Sequence, residues 1–119
     1  MSQFKFIESE KRPWGTFYVI HDEANYKIKR IEVEMGMRLS YQYHHKRSEA
    51  WTIIQGNAKI ILDDKPHILK SGESIKIPRK SKHRIENIGK SPLIFIEIQT
   101  GDYFGEDDIV RIEDDFNRK

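Results

Sequence analysis

The chain has 119 residues, enough for one domain over 1–119 that buries roughly two thirds of its unfolded surface, and too few for two. It contains no cysteine, which excludes a disulfide framework, a thiolate metal site and a cysteine nucleophile. Lys and Arg number 21 against 19 Asp and Glu, and a net charge of +2 lacks the basic excess of a nucleic-acid binder.

From the N-terminus, residues 17–20 form the first β-prone run, and the polar stretch 21–25 ends it. Residues 26–34 alternate, with Lys27, Lys29, Ile31 and Val33 on one face, until Met35-Gly36 breaks the pattern. Residues 39–44 alternate again and place Ser40, Gln42 and His44 together. Further short strands are predicted at 51–54, 58–62, 67–69, 74–77, 83–86 and 93–99, separated by Gly56-Asn57, Asp63-Asp64-Lys65, Ser71-Gly72, Pro78 and Asn87-Ile88-Gly89. Only 106–117 has a helical spacing, with Ile109, Val110, Ile112 and Phe116 on one side, so a short helix docked on the strands is expected there. Turn signals every 8–12 residues indicate a sandwich or barrel, and the lack of alternating helix and strand counts against a parallel α/β sheet. No apolar run approaches the ~18 residues of a membrane span. The N-terminus lacks a signal-peptide pattern, so a cytoplasmic protein with no membrane partner is expected.

Of the five histidines, His21 lies in a polar turn, His67 lies beside Pro66, and His45 follows His44 and so points the other way on a strand. His44 and His83 are different. Gly36, Gln42, His44, Glu49 and Gly56, then Gly72, Pro78, His83 and Asn87, are spaced as in the two motifs of the cupin superfamily, which the chain resembles. Gln42 stands where the first motif usually has its first His, and Lys80 where a Gly usually follows the Pro. The resemblance implies an all-β fold: a double-stranded β-helix, or jelly-roll barrel, with short terminal extensions packed outside it. It also implies one divalent metal ion on Gln42, His44, Glu49 and His83. The positions agree with this physically. Gln42 and His44 share a strand face, Glu49 follows a short turn, and His83 comes from a distant strand. Without sulfur ligands Zn, Mn, Co, Fe and Ni are all admissible, and zinc is the first expectation. The alternative is an inward polar cluster without a metal, as in a sugar-binding barrel.

A closer resemblance lies in Lys11-Arg12-Pro13-Trp14-Gly15, in Tyr26-Lys27-Ile28-Lys29-Arg30, in the run from Leu39 to Trp51 around Tyr43-His44-His45-Lys46-Arg47-Ser48-Glu49, and in Gly101-Asp102-Tyr103-Phe104-Gly105-Glu106-Asp107-Asp108-Ile109-Val110-Arg111. These stretches are similar to the type II mannose-6-phosphate isomerases, whose cupin is usually the C-terminal half of a bifunctional enzyme with a mannose-1-phosphate guanylyltransferase. The similarity runs from about Lys11 to Arg118. It implies a metal-dependent aldose–ketose isomerase interconverting mannose 6-phosphate and fructose 6-phosphate, for GDP-mannose or surface polysaccharide synthesis, and acting as a homodimer on a small phosphorylated sugar. Lys46 and Ala50 stand where the family usually has His, off the ligand positions. Two other readings are a non-catalytic sugar-binding cupin and a cupin acting on another phosphorylated or nucleotide-linked sugar.

Such a reaction needs a proton carrier and cations for the 6-phosphate. Lys29, on an otherwise apolar inward face, and Arg47, between two ligand positions, are the candidate catalytic and substrate-contacting cations. Arg84 and Arg111 are further candidates for substrate contact, and Lys80 flanks the second motif. Lys29, His45 and a metal-bound hydroxide are the open choices for the proton carrier. Trp14 and Tyr43 are candidates for stacking on a sugar face, with core packing the default for Trp14.

Overall fold

Period-two alternation builds the long central strands of the computed structural model, which describes residues 4–118. Eleven strands follow in order: β1 Glu8–Arg12, β2 Gly15–Asp22, β3 Tyr26–Val33, β4 Tyr41–Tyr43, β5 Arg47–Gln55, β6 Asn57–Leu62, β7 Lys65–Lys70, β8 Ser74–Ile77, β9 His83–Asn87, β10 Leu93–Gly101 and β11 Val110–Glu113. They form a six-stranded sheet ordered β1-β2-β3-β10-β5-β8 and a five-stranded sheet ordered β11-β4-β9-β6-β7. The named strand pairs are antiparallel, and the two sheets face each other as the expected double-stranded β-helix. No helix among the described residues is long and apolar enough to cross a membrane.

The expected helix over 106–117 is not formed. Residues 110–113 are β11, with Val110 opposite Tyr43 and Arg111 opposite Gln42. The short apolar pattern suits either structure locally. The open edge of β4 decides it, because pairing there satisfies backbone groups that a helix end would leave exposed. The tail does dock as expected, with Phe116 packed against the core. Strand β1 gave no sequence signal because Glu-Ser-Glu-Lys-Arg is polar on both faces, as an edge strand lying outside the core can be.

Along β3, β5, β9 and β10 every second side chain points inward. The apolar members, including Val33, Ile53, Ile85, Leu93 and Phe95, make one continuous core with Ile60 of β6. Trp51 ends it, with its ring centroid 5.3 Å from that of Phe95 and 5.4 Å from that of His83. Beyond Trp51 the inward positions are polar: Lys29, Arg47, Glu49, His83, Glu97 and Gln99, all buried. Three left-handed residues close two turns near this end. Asp63 and Asp64, with φ of 47° and 69°, form the two-residue turn between β6 and β7. Lys80, with φ of 69°, adopts the conformation that explains a Gly at that place in related sequences, and its N–H donates to the His44 carbonyl at 2.9 Å.

Candidate metal centre and its pocket

His44 follows β4, and His83 opens β9. Each ring is oriented from its Nδ1, which lies 2.6 Å from the Asp108 carbonyl in His44 and 2.9 Å from the Ser81 carbonyl in His83. A carbonyl only accepts, so each Nδ1 carries the proton and each Nε2 presents a lone pair. Glu49 enters from β5. Ligand-type atoms of His44, Glu49 and His83 lie within 4.8 Å of one another. Gln42 sits opposite His83 in the β4–β9 register and lines the same pocket, its amide donating to Ser40 Oγ at 3.0 Å.

The electrostatics favour neutral imidazoles beside an ionised carboxylate. Burial pushes His44 down to about 4 and lowers His83 as well. Burial would raise the Glu49 carboxyl, but the Arg47 guanidinium beside it holds it well below the usual range. One carboxylate and two lone-pair imidazoles suit a divalent ion of borderline softness, so the donor set fits the metal that the fold implies. Arg47 bears on that fit. Its Nε donates to Glu49 Oε2 at 2.8 Å, and its Nη2 lies 3.2 Å from His44 Nε2. The guanidinium thus meets the atoms a metal would use, and must turn aside for one.

Lys29 is buried in the same pocket, donating to Glu106 Oε2 at 2.6 Å, with its ammonium 4.1 Å from the Phe17 ring centroid. Arg84 lines the wall, its Nε on the Leu39 carbonyl at 2.8 Å and its terminal nitrogens on Glu113. Arg111 faces the pocket from β11. Trp14 lies in the core cluster at the pocket wall. Lys46 is exposed, over the Tyr103 ring, and Ala50 lies on the outward side of β5, so neither departure touches the centre. Lys80 and His45 are exposed as well, and His45 packs against the Tyr43 ring rather than facing the pocket, which removes it as a proton carrier. His21 and His67 are on the surface.

Three contributors were not anticipated. Glu97 is buried on β10, and Trp51 Nε1 is shared between Glu49 Oε1 at 2.9 Å and Glu97 Oε1 at 3.2 Å. Burial, and then the Glu49 charge, push the Glu97 carboxyl upward. Its signal was present: a Glu two residues after Phe95 on the inward face is as anomalous as Lys29. Asp108 holds the turn after His44, its carboxylate accepting from the His45 and Lys46 backbone N–H groups at 3.0 and 2.9 Å. Glu106 binds Lys29. No local pattern ties 106 or 108 to residues more than sixty positions earlier.

The sequence profile of the family described as "Mannose-6-phosphate isomerase C-terminal" matches residues 2–114. The chain belongs to this family. The alginate biosynthesis protein AlgA of Pseudomonas aeruginosa is 45% identical over 107 residues, covering 90% of this chain and 22% of that protein. Mannose-1-phosphate guanylyltransferase 2 of Escherichia coli O157:H7 is 47% identical over 100 residues, covering 84% of this chain and 21% of that protein. The chain therefore spans about a fifth of the length of these relatives. Among solved structures, the capsular polysaccharide assembling protein CapF of Staphylococcus aureus superposes with a TM-score of 0.78 at 19% identity, covering 93% of this chain and 35% of that one, a likeness of fold alone. In this member of the family, His44, Glu49 and His83 form a group able to hold a metal ion.

Proposed function

We propose that this chain is a metal-dependent aldose–ketose isomerase that interconverts mannose 6-phosphate and fructose 6-phosphate, feeding GDP-mannose or surface polysaccharide synthesis. The observation that carries the reading is the convergence of two Nε2 lone pairs and a carboxylate in a pocket also lined by Lys29 and several arginines. The family description and the polysaccharide role in the name of the Pseudomonas relative support it.

His44, Glu49 and His83 would hold one divalent ion, zinc first, with Gln42 as a fourth and weaker donor. When bound, that ion supplies Lewis acidity toward the sugar's carbonyl oxygen. Asp108 and Ser81 carbonyls hold the two imidazoles in the ligating tautomer. Trp51 and Phe95 close the inner end against water. Glu97 faces the pocket and can hold the proton that moves between the two sugar carbons, while Lys29 offers its ammonium to the phosphate. Arg47 and Arg111 offer guanidinium groups to the anionic ligand, while Arg84 braces β11 beside them.

A coupled assay with both sugar phosphates, run on protein of measured metal content, tests this reading. Turnover that follows bound metal supports it. No turnover with zinc or manganese added rules it out. The contact of Arg47 with His44 and Glu49 favours a second reading, a metal-free sugar-binding module, in which sugar binds equally well with and without chelator. We also propose a homodimer. Exposed Ile54 and Ile98 on the outward side of the six-stranded sheet support it, and light scattering that finds a 14.2 kDa particle at micromolar concentration would contradict it.

A further inference from the structure

The pocket is lined by six cationic side chains and three carboxylates. Much of that charge is matched locally. Arg47 pairs with Glu49, Arg84 with Glu113, and Arg118 with Asp114. Near the C-terminal segment the balance differs. Lys29 pairs with Glu106 at 2.6 Å, Arg12 pairs with Glu10 at 3.1 Å and also reaches Glu106 at 3.9 Å, and Arg111 and Arg118 line the same pocket. Burial, followed by the charges of Arg118 and Arg12, lowers the pKa of Arg111, which accords with cations gathered closely in this corner.

The two partners of the shortest pair are unequal. The Lys29 side chain is 4% exposed and that of Glu106 44%. Lys29 is held over the Phe17 ring and has nowhere to go, whereas Glu106 can turn into solvent. The backbone around Glu106 is braced. The Tyr103 hydroxyl donates to Asp107, and Asp108 clamps the His45 and Lys46 N–H groups. The part free to move is therefore the Glu106 side chain, without a lid opening.

We propose that Glu106 is an internal competitor for the ligand's phosphate group: its carboxylate fills the corner between Lys29 and Arg12, and an arriving phosphate displaces it into solvent. A phosphate monoester brings about two negative charges and three acceptor oxygens, so it can serve Lys29 and Arg12 together, which a single carboxylate does less well. A neutral hexose has nothing to exchange for the Lys29–Glu106 ion pair. The exchange thus discriminates against unphosphorylated sugars. The identity of the sugar phosphate rests on the isomerase reading, but the exchange itself can be read without turnover.

The test is calorimetric titration of the full chain and of Glu106→Gln, Lys29→Met and the double variant, at constant ionic strength. The ligands are inorganic phosphate, mannose 6-phosphate and mannose. Glu106→Gln keeps the shape on an exposed side chain, and its melting curve checks the fold. The expected result is a gain of about tenfold in phosphate affinity for Glu106→Gln, or ~1.4 kcal/mol, with mannose binding unchanged. Lys29→Met should abolish that gain in the double variant. A gain for both phosphates, or for mannose 6-phosphate alone, supports the exchange. A gain for inorganic phosphate alone supports the exchange and counts against the sugar-phosphate reading. Unchanged or weaker binding of both phosphates to Glu106→Gln overturns the proposal, as does a gain that survives Lys29→Met. Phosphate exchange without isomerase turnover leaves this inference standing and removes the isomerase.

Discussion

Along β10, Leu93 and Phe95 point into the barrel opposite Val33 and Ile31 of β3, with Ile53 of β5 on the other side. Two and four residues later Glu97 and Gln99 point into the same barrel, among Lys29, Arg47 and Glu49. The same strands thus build two unlike interiors, and Trp51 separates them. The apolar half is stabilised by burial, which needs no particular orientation. The polar half holds because most of its groups are partnered: Arg47 on Glu49, Trp51 Nε1 on two carboxylates, and the Gln99 amide nitrogen on Glu97 at 2.6 Å, with Gln99 Oε1 left without a hydrogen bond. The apolar half supplies stability. The polar half has a geometry that burial alone would not select, which is where chemistry is expected.

Substitutions at the two ends should therefore separate activity from stability. His83→Ala, in the polar half, should lower the proposed isomerase activity by more than ~100-fold, since loss of a ligand should exceed the ~10–100-fold effect of a supporting residue. Metal retention, read by elemental analysis, should fall with it while the melting curve stays cooperative. Metal that stays bound at full stoichiometry would break the comparison from the polar side. Phe95→Ala, in the apolar half, should cost about 3–5 kcal/mol in urea unfolding, while the protein that remains folded binds metal normally. A cost near zero would mean that Phe95 does not anchor the core.

Smaller effects sharpen the boundary. Asp108→Ala removes the clamp on the turn after His44 and should weaken metal affinity ~10-fold. Equal affinity in a competition titration would show that the Asp108 carboxylate is not needed to place His44. Glu97→Gln tests the raised carboxyl through pH. In metal-free protein Glu97 keeps its proton above the ordinary carboxylate range, where the unfolded chain has lost it. The native state then binds more protons, so its stability falls as pH rises through that window. Glu97→Gln lacks this slope, and its advantage over the wild type should grow from about pH 4.5 to about pH 8 and level off above that. A difference that does not change with pH would remove the assigned shift. Smallest of all, Lys46→Ala should leave stability within ~0.5 kcal/mol and metal content unchanged, because Lys46 is exposed and off the centre. A loss of metal from that variant would mean the turn is set by more than Asp108.

What the sequence by itself determined follows from short-range rules. Alternation placed Lys29 inward with Ile31 and Val33, and put Gln42 near His44 on β4 and its approach. Gly and Pro signals marked the turns, so β8 was read at its observed bounds and most other strands to within a few residues. The spacing of the two motifs singled out His44, Glu49 and His83, which the fold then brought within 4.8 Å. Tertiary structure alone decided what depends on partners remote in sequence. The edge of β4 made 110–113 a strand rather than a helix, and register placed Glu97 across from Lys29 and Trp51. The Asp108 clamp on the turn after His44 spans more than sixty residues, and so does the Glu106 contact with Lys29. Local periodicity reports which way a side chain points. Whether it meets a partner there depends on strand pairing, and so on the whole chain.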